Sequence, residues 1–217
     1  MRTFIRLLLN LAVTFGVYWF VFRPRQARWG ADDNEVSMPL PGDEIAPNPT
    51  MQATHAITIN APSHSVWPWL VQLGQEKAGL YSYEWLENLV GCDIHNVSEI
   101  RPEWQNTQVN DIMRLGPKGY PLFIVKEIVP NRALVLQAAD PKTEAPAAAS
   151  WAFILNEQAD GTTRLIVRSR NQYEPSIGNF ILWRMITEPL SFIMERKMLR
   201  SIKGLAEAKP VLQPQTA

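Results

Sequence analysis

The sequence contains one cysteine, Cys92, and three histidines, His55, His64 and His95. A lone cysteine excludes an intramolecular disulfide, and these histidines have none of the spacings, such as HExxH, that hold a metal ion. Lysine plus arginine equals aspartate plus glutamate at 21 each, so the chain lacks the basic field of a nucleic-acid-binding protein. A glycine-rich phosphate loop and a serine-centred nucleophile elbow are also missing. We therefore expect no metal, no cofactor and no nucleic-acid partner.

The chain does contain one long apolar run, residues 4–22, in which Arg6 and Asn10 are the strongly polar members. Nineteen helical residues span roughly 28 Å, close to the thickness of a bilayer core. Tyr18 and Trp19 lie near one end, where amphipathic rings favour the membrane interface, and three arginines follow. A cleaved signal peptide is the alternative, but it has a shorter apolar core and a small-x-small cleavage site. The run therefore predicts an uncleaved transmembrane helix.

Composition divides the chain into an anchor, a tether, one domain and a tail. Residues 1–28 hold the anchor and its basic flank, and residues 29–52, with four prolines, predict an extended tether with few contacts. Asp32 or Asp33 is expected to cap one short helical turn there. Residues 53–208 are long enough for one domain with a sizeable core, and residues 209–217 predict a flexible tail. Positive charges flank the apolar run almost equally, so the positive-inside rule gives nearly the same weight to both orientations. We place the domain in the cytoplasm, on the side of the three arginines that follow the run.

The domain is predicted to open with a strand and to close with a long helix. Residues 55–59 alternate between two faces, and a helix over residues 63–73 follows. Pro189 is expected to bend or split the last helix, residues 179–207. The remaining predictions are a helix at 83–90, strands at 111–115, 122–128 and 133–138, a mobile loop at 138–149, and a hairpin of strands 150–157 and 163–173 around Asp160-Gly161.

The hairpin predicts which side chains share one face. With a two-residue turn, Trp151 pairs with Arg170 and Phe153 pairs with Arg168, so these four side chains lie together. Aromatic rings beside two arginines suit a pocket wall with a cationic anchor for an acidic or carbonyl group. The alternative is an outer surface on which arginine stems cover the rings. A turn longer by one residue would flip every side chain on one strand.

Three further ligand-binding candidates are Tyr83, Trp183 and Met194. Trp183 and Met194 belong to an apolar stripe on the last helix, and Tyr83 follows a glycine at which a loop could move. An ordinary hydrophobic core is the alternative for all three.

Asp93 and His95 are the acid–base candidates. They lie two residues apart, on one side of an extended chain, where a carboxylate beside an imidazole could act as a general base. The alternative is a polar loop whose side chains bond their own backbone. Cys92 has no assigned base and is interpreted as a buried, inert thiol.

The order of elements resembles that of the START-like helix-grip superfamily, also called SRPBCC. ITINAPSHSVWPWLVQLG at 57–74 resembles its opening signature, and GLYSYEWLENLVGCDIHNVSEIRPEW at 79–104 resembles a bacterial polyketide-cyclase-like branch. RWGADDNEV and PLPGDEI are similar to the juxtamembrane preface of that branch. The resemblance implies an α+β fold with a curved antiparallel sheet wrapped on a long C-terminal helix, and an apolar cavity between them. It supplies no catalytic signature.

We therefore expect a single-pass protein of a bacterial inner membrane, tethered to the bilayer through residues 4–22. Its expected function is to bind or transfer a hydrophobic small molecule, such as a lipid, a quinone or a polyketide-like compound. One alternative is a cyclase or dehydratase acting on a carbonyl substrate, with Arg168 or Arg170 polarising an oxygen and His95 with Asp93 moving a proton. A scaffold protein with a vestigial cavity is the other alternative.

Overall fold

The computed structural model describes residues 2–208, apart from the side chains of residues 2–5, 7, 8, 11 and 12. The predicted tail at 209–217 lies outside the described residues. One antiparallel sheet of six strands has the order β1-β6-β5-β4-β3-β2, and a long C-terminal helix packs on one face, as the helix-grip resemblance implied. The strands are β1 Met51–Ile59, β2 Ile112–Arg114, β3 Leu122–Val129, β4 Ala133–Ala139, β5 Pro146–Glu157 and β6 Thr163–Asn171.

Each predicted strand is present, with ends that differ from the prediction by a few residues. β5 begins at Pro146, so the loop predicted at 138–149 is shorter than expected. Asp140 organises this loop, because its Oδ1 accepts hydrogen bonds from the backbone N–H groups of Lys142 and Thr143. Extra residues in β3 opposite β4, and in β5 opposite β4, shift the register of the sheet, which adds local bend and twist.

The helices combine α-helical and π-helical geometry. The helical geometry changes next to Pro189, which was predicted to bend or split the last helix: Phe180–Thr187 is π-helical and α geometry resumes at Glu188. The chain stays helical through this change, because Glu188 has φ of −58° and ψ of −52°, so Pro189 lies within a continuous helical stretch. The α-helices are α1 Arg2–Val17, α2 Arg23–Gln26, α3 Asp33–Ser37, α4 Ser63–Val71, α5 Glu84–Leu89, α6 Ile177–Asn179 and α7 Glu188–Ala208.

The apolar run at residues 4–22 is not one uninterrupted α-helix. α1 has 16 residues and is followed by the π-helical residues Tyr18–Phe22, which we call the first π segment. Within residues 2–208, no helix is both long enough and apolar enough to cross a membrane. Trp19 packs against Phe180 with 5.4 Å between ring centroids. The N-terminal helix therefore lies against Phe180–Thr187, the second π segment.

Residues 31–50 pack on the outer face of the sheet rather than forming the extended tether that the prolines predicted. Trp29, just before them, packs against the inner core beside His55. Asp32 and Glu35 form a capping box at the start of α3, which confirms the predicted helical turn. Arg164 of β6 donates to Glu35 Oε1 at 2.6 Å and so ties α3 to the sheet. A small apolar cluster between this segment and the sheet contains Leu40, Ala56 and Ile166.

The predicted register of the hairpin is wrong by one residue. Residues 158–162 form a five-residue connection between β5 and β6, so Trp151 pairs with Ser169 and Phe153 with Val167. Arg168 pairs with Ala152 instead. Because side chains alternate along a strand, Arg168 and Arg170 lie on the opposite face of the sheet from Trp151 and Phe153.

The inner face of the sheet packs on α4 and α7. Phe153, Leu165 and Val167 are fully buried there, together with Leu199 and Ile202 of α7. Burying one side chain of this size contributes about 1.5–3 kcal/mol. The sheet therefore holds the main core on its inner face and residues 31–50 on its outer face.

Candidate functional site

An open groove of about 400 Å³ lies between α7 and the chain segment 81–98. Its volume falls within the usual range of small-molecule sites, about 300–1,000 Å³. We call it the α7 groove. It is lined by Tyr81, Ser82, Asn96, Val97, Ser98, Lys197, Arg200, Ser201, Gly204 and Leu205.

Two amide side chains hold the loop wall of the α7 groove in place. Gln72, fully buried just after α4, donates from Nε2 to Tyr81 Oη at 2.7 Å. Asn96 Oδ1 accepts from Tyr81 N–H at 2.7 Å, and the Asn96 amide donates to Ser82 O at 3.2 Å. Tyr81 has φ of +54°, a conformation that costs a non-glycine residue about 1–3 kcal/mol and is kept by these bonds. These bonds within the protein therefore fix the shape of the wall.

The helical wall of the α7 groove carries two cations. Lys197 Nζ lies 6.0 Å from the centre of the Tyr83 ring, and the guanidinium carbon of Arg200 lies 5.7 Å from the Trp29 ring. None of the described residues that line the groove is acidic. The lining of the groove therefore carries positive charge, which favours an anionic or oxygen-rich group.

The large apolar cavity that the resemblance implied between the sheet and the C-terminal helix is filled near Phe153. The Phe153 ring is fully buried and lies 4.8 Å from the Trp151 ring between centroids. A separate cavity beside β2, β3 and β4 has a volume of about 30 Å³, enough only for water. The open space thus lies at the edge of α7, and Phe153 belongs to the core.

The two arginines predicted to anchor a ligand instead hold residues 31–50 on the sheet. Arg168 is 2% exposed, and its Nη1 donates to Asp43 Oδ2 at 2.7 Å and its Nε to Thr54 Oγ1 at 3.1 Å. Arg170 donates to the carbonyl oxygen of Asp43 at 2.8 Å. The one-residue change in register explains why both face away from the α7 groove. The other acceptors of Arg168 are the carbonyl oxygens of Glu35, Val36 and Met38.

A buried histidine–carboxylate pair lies between the sheet and α7. His55 Nδ1 lies 2.5 Å from Glu195 Oε1, and His55 Nε2 lies 2.8 Å from the carbonyl oxygen of Gln26. Trp151 Nε1–H donates to Glu195 Oε2 at 2.9 Å, so this predicted ligand residue is already bonded. Burial alone lowers the pKa of His55, but the charge of Glu195 and both hydrogen bonds outweigh it and raise that pKa.

Sequence reasoning missed this pair because its members are 140 positions apart. The available signal was chemical: His55 lies on the face of β1 that also carries Ile57 and Ile59, and Glu195 follows the apolar Met194. A polar residue at such positions needs a buried partner.

Asp93 and His95 are brought together, but on the outer surface. Their side chains are 68% and 73% exposed, and His95 Nε2 lies 3.3 Å from Asp93 Oδ1. Neither residue lines the α7 groove. Cys92 is half-buried, and burial raises the pKa of its thiol, which fits an inert cysteine. In the described part of the chain, no three His, Cys, Asp or Glu residues are grouped to hold a metal ion.

The three remaining candidates divide between two places. Tyr83 borders the α7 groove through Lys197, and Ser82 Oγ donates to Met194 O at 3.1 Å, so Met194 lies at one end of the same groove. Trp183 lies elsewhere, in the second π segment, where its ring stacks on Tyr173 with 5.7 Å between centroids. The groove residues Lys197 and Arg200 were missed because their helical stripe carried no distinguishing motif.

Comparisons with known proteins give distant similarities. No family model and no curated protein matches the chain. The Aha1 dimer from Colwellia psychrerythraea is 17% identical with a TM-score of 0.44, covering 75% of this chain and 100% of the other. Protein NE0264 from Nitrosomonas europaea is 15% identical with a TM-score of 0.46, covering 73% of this chain and 95% of the other.

DynU16, from the dynemicin biosynthetic locus, is 13% identical with a TM-score of 0.43, covering 71% of this chain and 48% of the other. Similarity at this level carries no functional argument, because one fold supports many functions. The strand order and C-terminal helix of this chain fit the helix-grip fold, and its function must be inferred from the α7 groove.

Proposed function

We propose that this protein binds a hydrophobic small molecule with an acidic or oxygen-rich head group in the α7 groove. The observation that carries the proposal is the pair of cations, Lys197 and Arg200, on one wall of a groove whose described lining contains no acid. A carboxylate or phosphate head would form charge-assisted hydrogen bonds with both. Val97 and Leu205 supply apolar contact beside them.

An apolar track on α7 leads to these cations. Leu190 and Ile193 are exposed, and their spacing from Lys197 puts all three on one side of the helix. An apolar tail lying along Leu190 and Ile193 would leave its head group at Lys197. This arrangement suits an amphiphilic lipid, a quinone or a polyketide-like compound better than a small polar metabolite.

We also infer that residues 4–22 keep the protein at a bilayer from which the ligand is taken. The proposal rests on the composition of this run and on the exposure of Val13, Phe15 and Phe20 along it. An apolar helix with arginines at its end is also suited to lying in a membrane interface, which requires less length than a span.

No observation favours the cyclase or dehydratase alternative. Asp93 and His95 are exposed away from the α7 groove, and Arg168 and Arg170 are occupied by residues 31–50. The proposal is therefore a binding or transfer function without catalysis.

The test is binding of ω-fluorooctanoate and of the uncharged ω-fluorooctanol to the full chain in lipid nanodiscs, followed by fluorine NMR against empty nanodiscs. We expect the acid to bind more tightly. Lys197→Gln and Arg200→Gln should each weaken the acid about three- to tenfold and leave the alcohol unchanged, since a partly exposed ion pair contributes about 1 kcal/mol.

Arg196→Gln is the matched control. Arg196 precedes Lys197 on α7 and lies 5.5 Å from the Trp29 ring, but it does not line the groove. Equal binding of acid and alcohol, or equal effects of the control and groove variants, would contradict the proposed function.

A further inference from the structure

Two apolar segments from opposite ends of the chain form one exposed surface. Phe20 in the first π segment is 78% exposed, and Ile177 just before the second is 82% exposed. Stacking of Phe15 on Trp19, at 5.7 Å, and packing of Trp19 on Phe180, at 5.4 Å, join the two segments. We call this surface the apolar face; its exposed members include Phe15, Phe20, Ile177, Ile181, Leu182 and Ile186.

The apolar face is fixed to the domain by a buried carboxylate. Glu188, at the start of α7, forms ion pairs with Arg23 at 2.9 Å and with Arg184 at 3.1 Å. Arg184 also donates to the carbonyl oxygen of Thr50, just before β1. Because Arg23 directly follows the first π segment and Arg184 lies in the second, these bonds hold both segments in one orientation relative to the sheet.

The geometry of the backbone sets this region apart. Both π segments lie at the contact between the N-terminal helix and the start of α7. π-Helical turns are rare and often occur at functional sites. A contiguous exposed apolar patch likewise marks an interaction surface rather than an ordinary protein surface.

Charge identifies the occupant. Residues 1–31 and 175–187 contain no aspartate or glutamate. Arg6 and Arg25 lie among and beside the apolar positions, whereas Arg28 forms an ion pair with Asp33. Arginines beside apolar and aromatic side chains match a bilayer with anionic head groups. A second copy of the chain is disfavoured, because a two-fold interface would bring these like charges together.

We propose that the apolar face docks on the surface of an anionic lipid bilayer and holds the domain against it in one orientation. The proposal rests on the membrane association proposed for residues 4–22 and adds residues 177–186 as a second contact. Leu190 and Ile193 continue the exposed apolar positions along α7 towards Lys197. Docking therefore brings the mouth of the α7 groove to the lipid surface.

The test uses single fluorescent labels on the full chain. Cys92→Ser removes the native thiol, and Ile181→Cys, Phe20→Cys or Thr162→Cys then places an environment-sensitive nitrobenzoxadiazole label. The proteins are reconstituted in vesicles of phosphatidylcholine and phosphatidylglycerol, with and without nitroxide-bearing lipid. We expect blue-shifted emission and nitroxide quenching at positions 181 and 20, and neither change at position 162, in the hairpin connection.

A charged residue on the apolar face distinguishes docking of residues 177–186 on the bilayer from membrane association of residues 4–22 alone. Leu182→Asp should abolish quenching of the label at 181 while the label at 20 stays quenched, because a carboxylate is repelled by anionic lipid. Urea unfolding of Leu182→Asp checks that the exposed position leaves the fold unchanged.

Each outcome decides between the two proposals. Quenching at 20 with no change at 181 would overturn docking and leave the association of residues 4–22 standing. No quenching at either position would overturn both. If the label at 181 becomes protected without lipid and in proportion to protein concentration, a second copy covers the face and docking on lipid is wrong.

Discussion

Replacing Arg168 with methionine should release residues 31–50 from the outer face of the sheet and leave ligand binding in the α7 groove intact. Methionine keeps most of the buried volume of the side chain but removes every N–H donor of the guanidinium group. Asp43 then loses its bond at 2.7 Å, and Thr54 loses its bond at 3.1 Å. The carbonyl groups at the end of α3 also lose their donors.

The magnitude follows from burial. Arg168 is 2% exposed, and removing one member of a buried, hydrogen-bonded ion pair typically costs about 3–5 kcal/mol. The free energy of unfolding of a typical domain is only about 5–15 kcal/mol. We therefore expect Arg168→Met to lower the unfolding free energy by about 3–5 kcal/mol, a large share of the total.

The assay is urea unfolding of the full chain, followed by tryptophan fluorescence, with limited proteolysis of residues 31–50 as a local probe. Arg101→Met is the matched control, because the Arg101 side chain is exposed and its guanidinium lies over the Trp104 ring, at 4.7 Å, a contribution of about 0.5–1 kcal/mol. Fluorooctanoate binding under native conditions should be unchanged in Arg168→Met. Wild-type stability together with weakened fluorooctanoate binding would refute this reasoning and support the cationic anchor predicted from the hairpin.

Three further variants test other parts of the structure by urea unfolding. His55 has a raised pKa in the folded state, so its bond to Glu195 contributes fully to the free energy of unfolding below about pH 6.5, and this contribution is lost as pH rises through the raised pKa. Glu195→Gln should remove this fall in stability, and a variant whose stability depends on pH as the wild type's does would contradict the prediction. Burial raises the pKa of Glu87 from its usual 4.5 to about 7. The folded state therefore binds this proton more tightly than the unfolded state, and the free energy of unfolding falls as pH rises through that interval. Glu87→Gln should then be more stable than wild type by about 1–3 kcal/mol at about pH 8 and similar to it at about pH 4, and a pH-independent effect would argue against it. Gly30 has φ of +75°, and an added Cβ would lie 2.0 Å from a β1 carbonyl oxygen. Gly30→Ala should cost more than about 2 kcal/mol, whereas Gly178→Ala, at an open position, should cost little.

The elements of the fold could be predicted from local pattern, but the register of the hairpin could not. Alternation and helical spacing marked the strands and the last helix, because both depend on neighbouring residues. Asp160 looked like part of a two-residue turn. Its Oδ1 instead accepts from Thr162 N–H at 3.0 Å and from Thr162 Oγ1–H at 2.8 Å, which stabilises a longer connection.

The candidate site depended on contacts between distant parts of the chain. The pairing of Arg168 with Asp43 spans 125 positions, so nothing near the prolines of residues 31–50 indicated that they would be held on the sheet. The α7 groove joins Ser82 to Lys197 in the same way. Asp93 and His95 were correctly placed beside each other, but their exposure is set by tertiary packing and has no local signature.

The most direct test of the binding function is photo-crosslinking of the full chain in nanodiscs with a diazirine-bearing fatty acid, mapped by peptide mass spectrometry. We expect crosslinks within residues 81–98 and 197–205, suppressed by excess octanoate and reduced in Lys197→Gln. Crosslinks confined to other residues, or crosslinks in the groove that octanoate does not suppress, would contradict it.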